Sequence, residues 1–262
     1  MLSNAISGLI IGVSMLIPGV SGGTTALMCG IYYKLIAAID CFFEKPKENF
    51  KFLLSVAVGG IIGVLAFSKL ILITYNTYKT PMLYLFMGAV IGSIPLLIKS
   101  SGVKKINLKT FLYPLLGIIV VFLLERIPKD LFVIDADGLL EYFILFFLGI
   151  ILATALILPG ISFTYMLLIL GLYEQTLIAI ESFNIPFLFA MVTGIILGIF
   201  LTAKIIRIIL REYPKQTYLV IVGFVIASLR DVFPGIPTGN ELIISIILLF
   251  GSFYTIYKIS NK

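Results

Sequence analysis

A chain of 262 residues that is 60% hydrophobic and 12% charged, with a mean hydropathy of +1.16, is too apolar for a soluble domain and places most of its length in a bilayer. It has no His, which excludes His-based acid–base chemistry, haem ligation and most zinc sites. The net charge of +6 would suggest nucleic acid in a polar chain; in this one it reports membrane topology, so no nucleic-acid partner is expected.

The first element is a broken one. Apolar runs from Leu2 to Ile17 and from Ala26 to Ile39 flank Pro18-Gly19-Val20-Ser21-Gly22-Gly23-Thr24-Thr25. About fifteen helical residues rise about 22 Å, short of the roughly 30 Å of bilayer hydrocarbon. The intervening segment is not helical, because Pro18 lacks an N–H and the glycines favour a loop. A loop at membrane depth is tolerated only when buried in protein or lining a wet cavity, so residues 2–39 read as a re-entrant hairpin. Cys29 and Cys41 lie in or beside it and are expected as reduced thiols. No charged segment precedes the first apolar run, so no cleavable leader is expected.

A charged loop follows, with Glu44, Lys45, Lys47 and Glu48. Spanning helices are then expected near residues 52–75, 82–98 and 110–124, the last preceded by a basic segment. These complete a first unit, residues 1–125, and a polar linker covers 126–141. The second unit, 142–262, repeats the plan with a hairpin at 142–180 and spans near 186–210, 217–229 and 242–257.

The repetition is visible residue by residue. Leu158-Pro159-Gly160-Ile161-Ser162 matches Ile17-Pro18-Gly19-Val20-Ser21, Gly171-Leu172-Tyr173 matches Gly30-Ile31-Tyr32, and Ala179-Ile180 matches Ala38-Ile39, all at one offset. At a slightly shorter offset, Gly59, Gly63, Lys69, Gly88 and Ser93 match Gly194, Gly198, Lys204, Gly223 and Ser228. Three crossings per unit is an odd number, which turns the second unit upside down relative to the first. The cations agree. With re-entrant hairpins, one face collects Lys34, Lys45, Lys47, Lys51, Lys99, Lys104, Lys105, Lys109, Lys204, Arg207, Arg211, Lys215, Lys258 and Lys262, and the other holds Lys79, Arg126, Lys129 and Arg230. The positive-inside rule then puts both termini in the cytoplasm. The expected fold is an all-α integral membrane protein of two inverted-topology repeats, each one re-entrant hairpin plus three transmembrane helices. Its hairpin tips should approach near the midplane, where such duplicated broken helices build a transporter's binding site.

The tips carry the chemistry. At the start of a return helix, N–H groups lack partners and the local dipole is positive, which suits an anion and phosphate above all. In the first tip these belong to Ser21, Gly22, Gly23, Thr24 and Thr25, with the glycines admitting a ligand close to the backbone. The second tip offers Ser162, Thr164 and Tyr165, without the double glycine. The bland alternative is that small residues here only let helices pack closely. Lys69 and Lys204 occupy matching positions within spans and either snorkel to the headgroups or meet the anion. Glu125-Arg126 and Arg230-Asp231 sit at span ends, as headgroup-level caps or as guides for an anionic substrate. Glu174, and Glu125 with it, are candidate proton carriers unless water solvates them. Gly59/Gly63 and Gly194/Gly198 read as helix contacts. No catalytic set, cofactor site or metal site can be assembled, so an enzyme is not expected.

At Gly19-Val20-Ser21-Gly22-Gly23-Thr24, followed by Gly30-Ile31-Tyr32 and the second Pro-Gly-Ile-Ser, the chain resembles a bacterial and archaeal membrane family associated with polyprenyl-phosphate translocation, the PopT type. The resemblance covers essentially the whole chain. It implies a cell-membrane protein that returns undecaprenyl phosphate, an anionic polyprenyl-phosphate lipid, from the outer to the cytoplasmic leaflet for reuse in envelope polymers. From the residues alone, a small-anion or organic-anion carrier and a non-transporting scaffold stay open as alternatives.

Overall fold

The computed structural model describes residues 2–16, 20–103, 107–127 and 138–260, and all statements below concern these. The described residues form twelve helices: α1 Leu2–Met15, α2 Gly22–Met28, α3 Tyr32–Asp40, α4 Pro46–Thr77, α5 Lys79–Ser100, α6 Leu108–Glu125, α7 Leu139–Ile157, α8 Phe163–Ile169, α9 Tyr173–Glu181, α10 Ile185–Glu212, α11 Pro214–Val232 and α12 Asn240–Ser260. Local chemistry sets several starts. Pro46 and Pro214 open α4 and α11 where a missing N–H costs nothing. Asn107 and Thr110 close a capping box on α6, their side chains each accepting the other's backbone N–H at 3.0 and 3.2 Å.

By length and composition, α4, α5, α7, α10 and α12 can each cross a bilayer, whereas α1 and α6 are shorter apolar helices. The bent pairs α2–α3 and α8–α9 raise the number to seven if each is counted as one span. α7, read from the sequence as a hairpin arm, is 19 residues of apolar helix, against 14 in α1. Its first residues, Leu139 and Leu140, lie in the stretch expected as linker. α11 carries Thr217, Ser228, Arg230 and Asp231 and is the protein-enclosed helix, with Ile221, Val222 and Val225 in the central core.

Each expected return arm is two short helices rather than one. α2 and α3 meet at a bend of 117°, α8 and α9 at 106°. Both elbows are Schellman motifs. Gly30 sits at φ +69°, its N–H bonded to the Leu27 carbonyl at 2.9 Å and that of Ile31 to Ala26 at 3.0 Å. Gly171 sits at φ +68°, with Gly171 N–H to Leu168 at 3.2 Å and Leu172 N–H to Leu167 at 2.9 Å. A left-handed backbone is cheap only for glycine, which is why the repeated Gly-x-Tyr begins with it.

Glycines also set the long-helix pairs. α1 packs on α4 through Gly8 and Gly12 against the Val56 and Gly60 backbone, with Gly59 and Gly63 facing Ala5 and Leu9 in return. α7 packs on α10 through Gly149, Gly194 and Gly198 in the same manner. A Cβ at any of these would overlap backbone, so the helices touch main chain to main chain. The remaining pairs cross between the halves: α5 lies on α12 through Gly88 and Gly92, and α11 on α6 through Gly117 and Gly223. Arg207 of α10 reaches Asp40, at the end of α3, at 2.5 Å and also contacts Cys41, tying the first broken arm to the second half. Cys29 and Cys41 are both free thiols. Large apolar side chains, among them Leu54, Ile61 and Leu65 of α4 and Ile247 and Phe250 of α12, cover the exposed perimeter, as bilayer contact requires.

Candidate functional site

The two loops of interest meet inside the bundle. Pro18 and Gly19 lie outside the described residues; from Val20 onward the first tip is Ser21 in extended backbone followed directly by α2. In the second, α7 ends at extended Leu158, and Gly160 turns at φ +82° against the Phe224 backbone, where a side chain would collide. Ser162 then caps α8 by accepting the Tyr165 N–H at 3.3 Å, whereas Ser21 makes no such side-chain cap on α2.

The first tip supports the second. The Gly160 N–H donates to the Thr24 hydroxyl at 3.0 Å, and the Tyr32 hydroxyl donates to the Ile157 carbonyl at 3.2 Å. Gly23 faces the same backbone: a Cβ there would stand 3.1 Å from the Ile157 oxygen and 3.3 Å from Pro159 Cα. Thr25 turns the other way, sharing a 2.7 Å hydroxyl contact with Ser14 of α1 and donating to the Ser21 carbonyl at 3.3 Å.

Between the tips lies a cavity of about 1040 Å³. Ser21, Gly22 and Gly23 line one side and Ser162, Thr164 and Tyr165 the other. Apolar wall comes from Ile11, Met15, Leu35, Leu156, Phe163 and Leu168, and Tyr32, Tyr173, Arg230 and Asp231 add polar groups. Met15 and Thr164 line the space and are themselves exposed, so it opens at the rim between α1 and α8. A smaller cavity of about 490 Å³ is lined by Ile119, Phe122, Leu123, Arg126 and Arg230. Arg230 is common to both, and its guanidinium lies 5.2 Å over the Phe122 ring.

The structure thus gathers Ser21, Gly22, Gly23, Ser162, Thr164 and Tyr165 around one space. Thr24 and Thr25 are buried behind the wall, joined to Gly160 and Ser14, and do not line it. Lys69 and Lys204 are exposed on α4 and α10 and line neither cavity. Arg126 belongs to the smaller cavity. Glu174 is exposed in the first turn of α9, and the Glu125 side chain lies outside the described set. No cluster of metal-ligating side chains occurs among the described residues. Helices α2 and α8 have seven residues each, so what the tips present is local N–H and hydroxyl groups rather than a long helix dipole. Sequence reasoning passed over Tyr32 and Tyr173 as site residues; their place in the repeated Gly-x-Tyr was the available signal.

An all-helical bundle with a bilayer-facing apolar perimeter, and a polar-tipped cavity between two broken helices, is the build of a multi-pass membrane transporter. Over residues 11–245 the chain matches the VCA0040-like family, described as undecaprenyl phosphate translocase-like, and it belongs to that family. It is 33% identical over 250 residues to a polyprenyl-phosphate transporter of Staphylococcus aureus, covering 90% of this chain and 87% of that one. It is 27% identical over 248 residues to a polyprenyl-phosphate transporter of Vibrio cholerae, covering 89% and 78%. The family is one of transporters, not enzymes. No solved structure matches the chain.

Proposed function

We propose that this protein returns a polyprenyl phosphate, undecaprenyl phosphate in the bacterial case, from the outer to the cytoplasmic leaflet for reuse in envelope polymer synthesis. The observation that carries the reading is the cavity between Ser21–Gly23 and Ser162–Tyr165, polar at the tips, apolar on its walls and open at Met15 and Thr164. A lipid phosphate needs those qualities together. Its headgroup carries between one and two charges near neutral pH, since the second ionisation lies near 6. Moving that charge into a dry interior costs several kcal/mol even after relaxation, so donors must replace its water. The Ser21 hydroxyl, which caps no N–H of α2, and the first N–H groups of that helix supply donors on one side, the Thr164 hydroxyl on the other. The isoprenoid tail stays in lipid, leaving through the rim.

In this reading, the chain is two inverted repeats, residues 1–125 and the part from the start of α7 onward, both termini are cytoplasmic, and the halves rock about the tips in alternating access. The repeated order of six helices and the matched glycine contacts of α1 with α4 and α7 with α10 support it. Proteoliposomes holding polyprenyl monophosphate in the outer leaflet test the function: the protein should carry headgroups beyond reach of an external phosphatase. Headgroups that stay fully exposed would refute it. Single cysteines at Lys47 and Lys215 should react only from the cytoplasm and one at Asp135 only from outside; labelling of Lys47 and Asp135 from one side would refute the inverted topology.

A further inference from the structure

Arg126 and Arg230 come from different halves of the sequence and meet in one small cavity, the remainder of whose wall is Ile119, Phe122 and Leu123. Ile119, Phe122, Leu123 and Arg126 fall at three- and four-residue spacings, so α6 presents them as one stripe with the cation at its end. Ile119, Phe122 and Leu123 are exposed on the perimeter. An apolar stripe continuous with the bilayer, ending in two guanidinium groups, matches a phosphomonoester attached to a hydrocarbon chain: guanidinium forks bind phosphate oxygens in pairs, and the chain lies along the stripe. Arg230 faces both cavities, so a phosphate held beside it is already at the border of the central space.

We infer that Arg126 and Arg230 form a loading station, separate from the tips, that captures the lipid phosphomonoester from the outer leaflet and passes it to the central cavity through Arg230. The inference rests on the transport reading above. It assigns different work to the two places: the station sets how little substrate suffices, and the tips set how fast a captured headgroup crosses.

The test varies the outer-leaflet fraction of farnesyl monophosphate in proteoliposomes and follows loss of accessibility to external phosphatase. Arg126→Gln should raise the half-saturating fraction about tenfold, as loss of a charge-assisted bond to phosphate implies, with maximal rate near wild type. Arg126→Lys should fall between the two, because it keeps the charge and loses the fork. Both arginines also sit at helix C-termini, where a cation offsets the dipole. If that were their whole role, Arg126→Gln would lower thermal stability or maximal rate and leave half-saturation unmoved, and the station would be overturned. Inorganic phosphate should compete weakly. Competition as strong as that of farnesyl monophosphate, and dependent on Arg126, would make this a free-phosphate site and equally overturn it. A wild-type protein that clears no farnesyl monophosphate would remove the transport reading and the station together, whereas a transporting wild type with an unshifted Arg126→Gln removes the station alone.

Discussion

The two tips share Pro-Gly-x-Ser and then diverge. In the second, the serine hydroxyl is spent on capping its own helix, Gly160 and Ile157 are bonded to Thr24 and Tyr32 of the first half, and Phe163 and Thr164 stand where the first tip has Gly22 and Gly23. In the first, Ser21 caps nothing, while Thr24, Tyr32 and the bare backbone of Gly23 hold the second in place. One loop is therefore braced and the other does the bracing while keeping donors to spare. The two loops share a sequence pattern, and side-chain differences of a few atoms make them unequal partners around one cavity.

The largest expected break in that relation is Gly23→Val. Its side chain would push into Ile157 and Pro159 and also shield the backbone facing the cavity, and transport should drop at least about tenfold, equivalent to about 1.4 kcal/mol or more in the barrier. Gly22→Val meets first the flexible Met15 side chain and should cost less; equal loss at both positions, measured as initial rate in proteoliposomes, would show that tip contact is not what distinguishes Gly23.

Thr24→Val keeps the shape and removes the acceptor for Gly160. A buried N–H left without a partner costs about 1–3 kcal/mol, to be read as a lower unfolding temperature of the detergent-purified protein. Thr164→Val, at an exposed position, should change stability little. Matched losses from the two would erase the asymmetry of the tips.

The elbows sharpen the comparison by being alike. Gly30→Ala should destabilise by about 1 kcal/mol through its left-handed backbone alone, since nothing lies within 4 Å of the added carbon. Gly171→Ala should behave similarly, so a large difference between them would mean that one elbow bears a load the other does not.

The smallest effect is expected at Lys69. It is exposed on α4 and lines neither cavity, so Lys69→Gln should leave transport within about twofold of wild type at neutral and alkaline pH. A selective alkaline loss would instead bring this lysine to the dianionic headgroup and relocate the site.

Much of the architecture was legible in the sequence because a bilayer imposes simple rules. Composition alone required an all-helical membrane protein, and Pro-Gly loops at mid-membrane depth had to be shielded within it. Of the residues that line the cavity, Ser21, Gly22, Gly23, Ser162, Thr164 and Tyr165 could be named from loop chemistry, although Thr24 and Thr25 could not be told from them. Neighbouring residues at a helix start point in directions a hundred degrees apart, and which one meets ligand space depends on the helix's rotation against its neighbours. For the same reason a charge inside an apolar run, as at Lys69, does not announce which way it faces.

What the sequence by itself determined, then, is everything that follows from the solvent and from local backbone chemistry: a membrane bundle, broken helices, paired loops, and Gly-x-Tyr repeats whose glycines permit a reversal. Only the tertiary structure decided which loop braces the other, that α5 pairs with α12 and α6 with α11 across the halves, and that Arg126 and Arg230 share a cavity. These are contacts between residues about a hundred or more positions apart, fixed where glycine-lined helices close main chain to main chain. That fit depends on the shapes of both partners at once, and neither segment carries it alone.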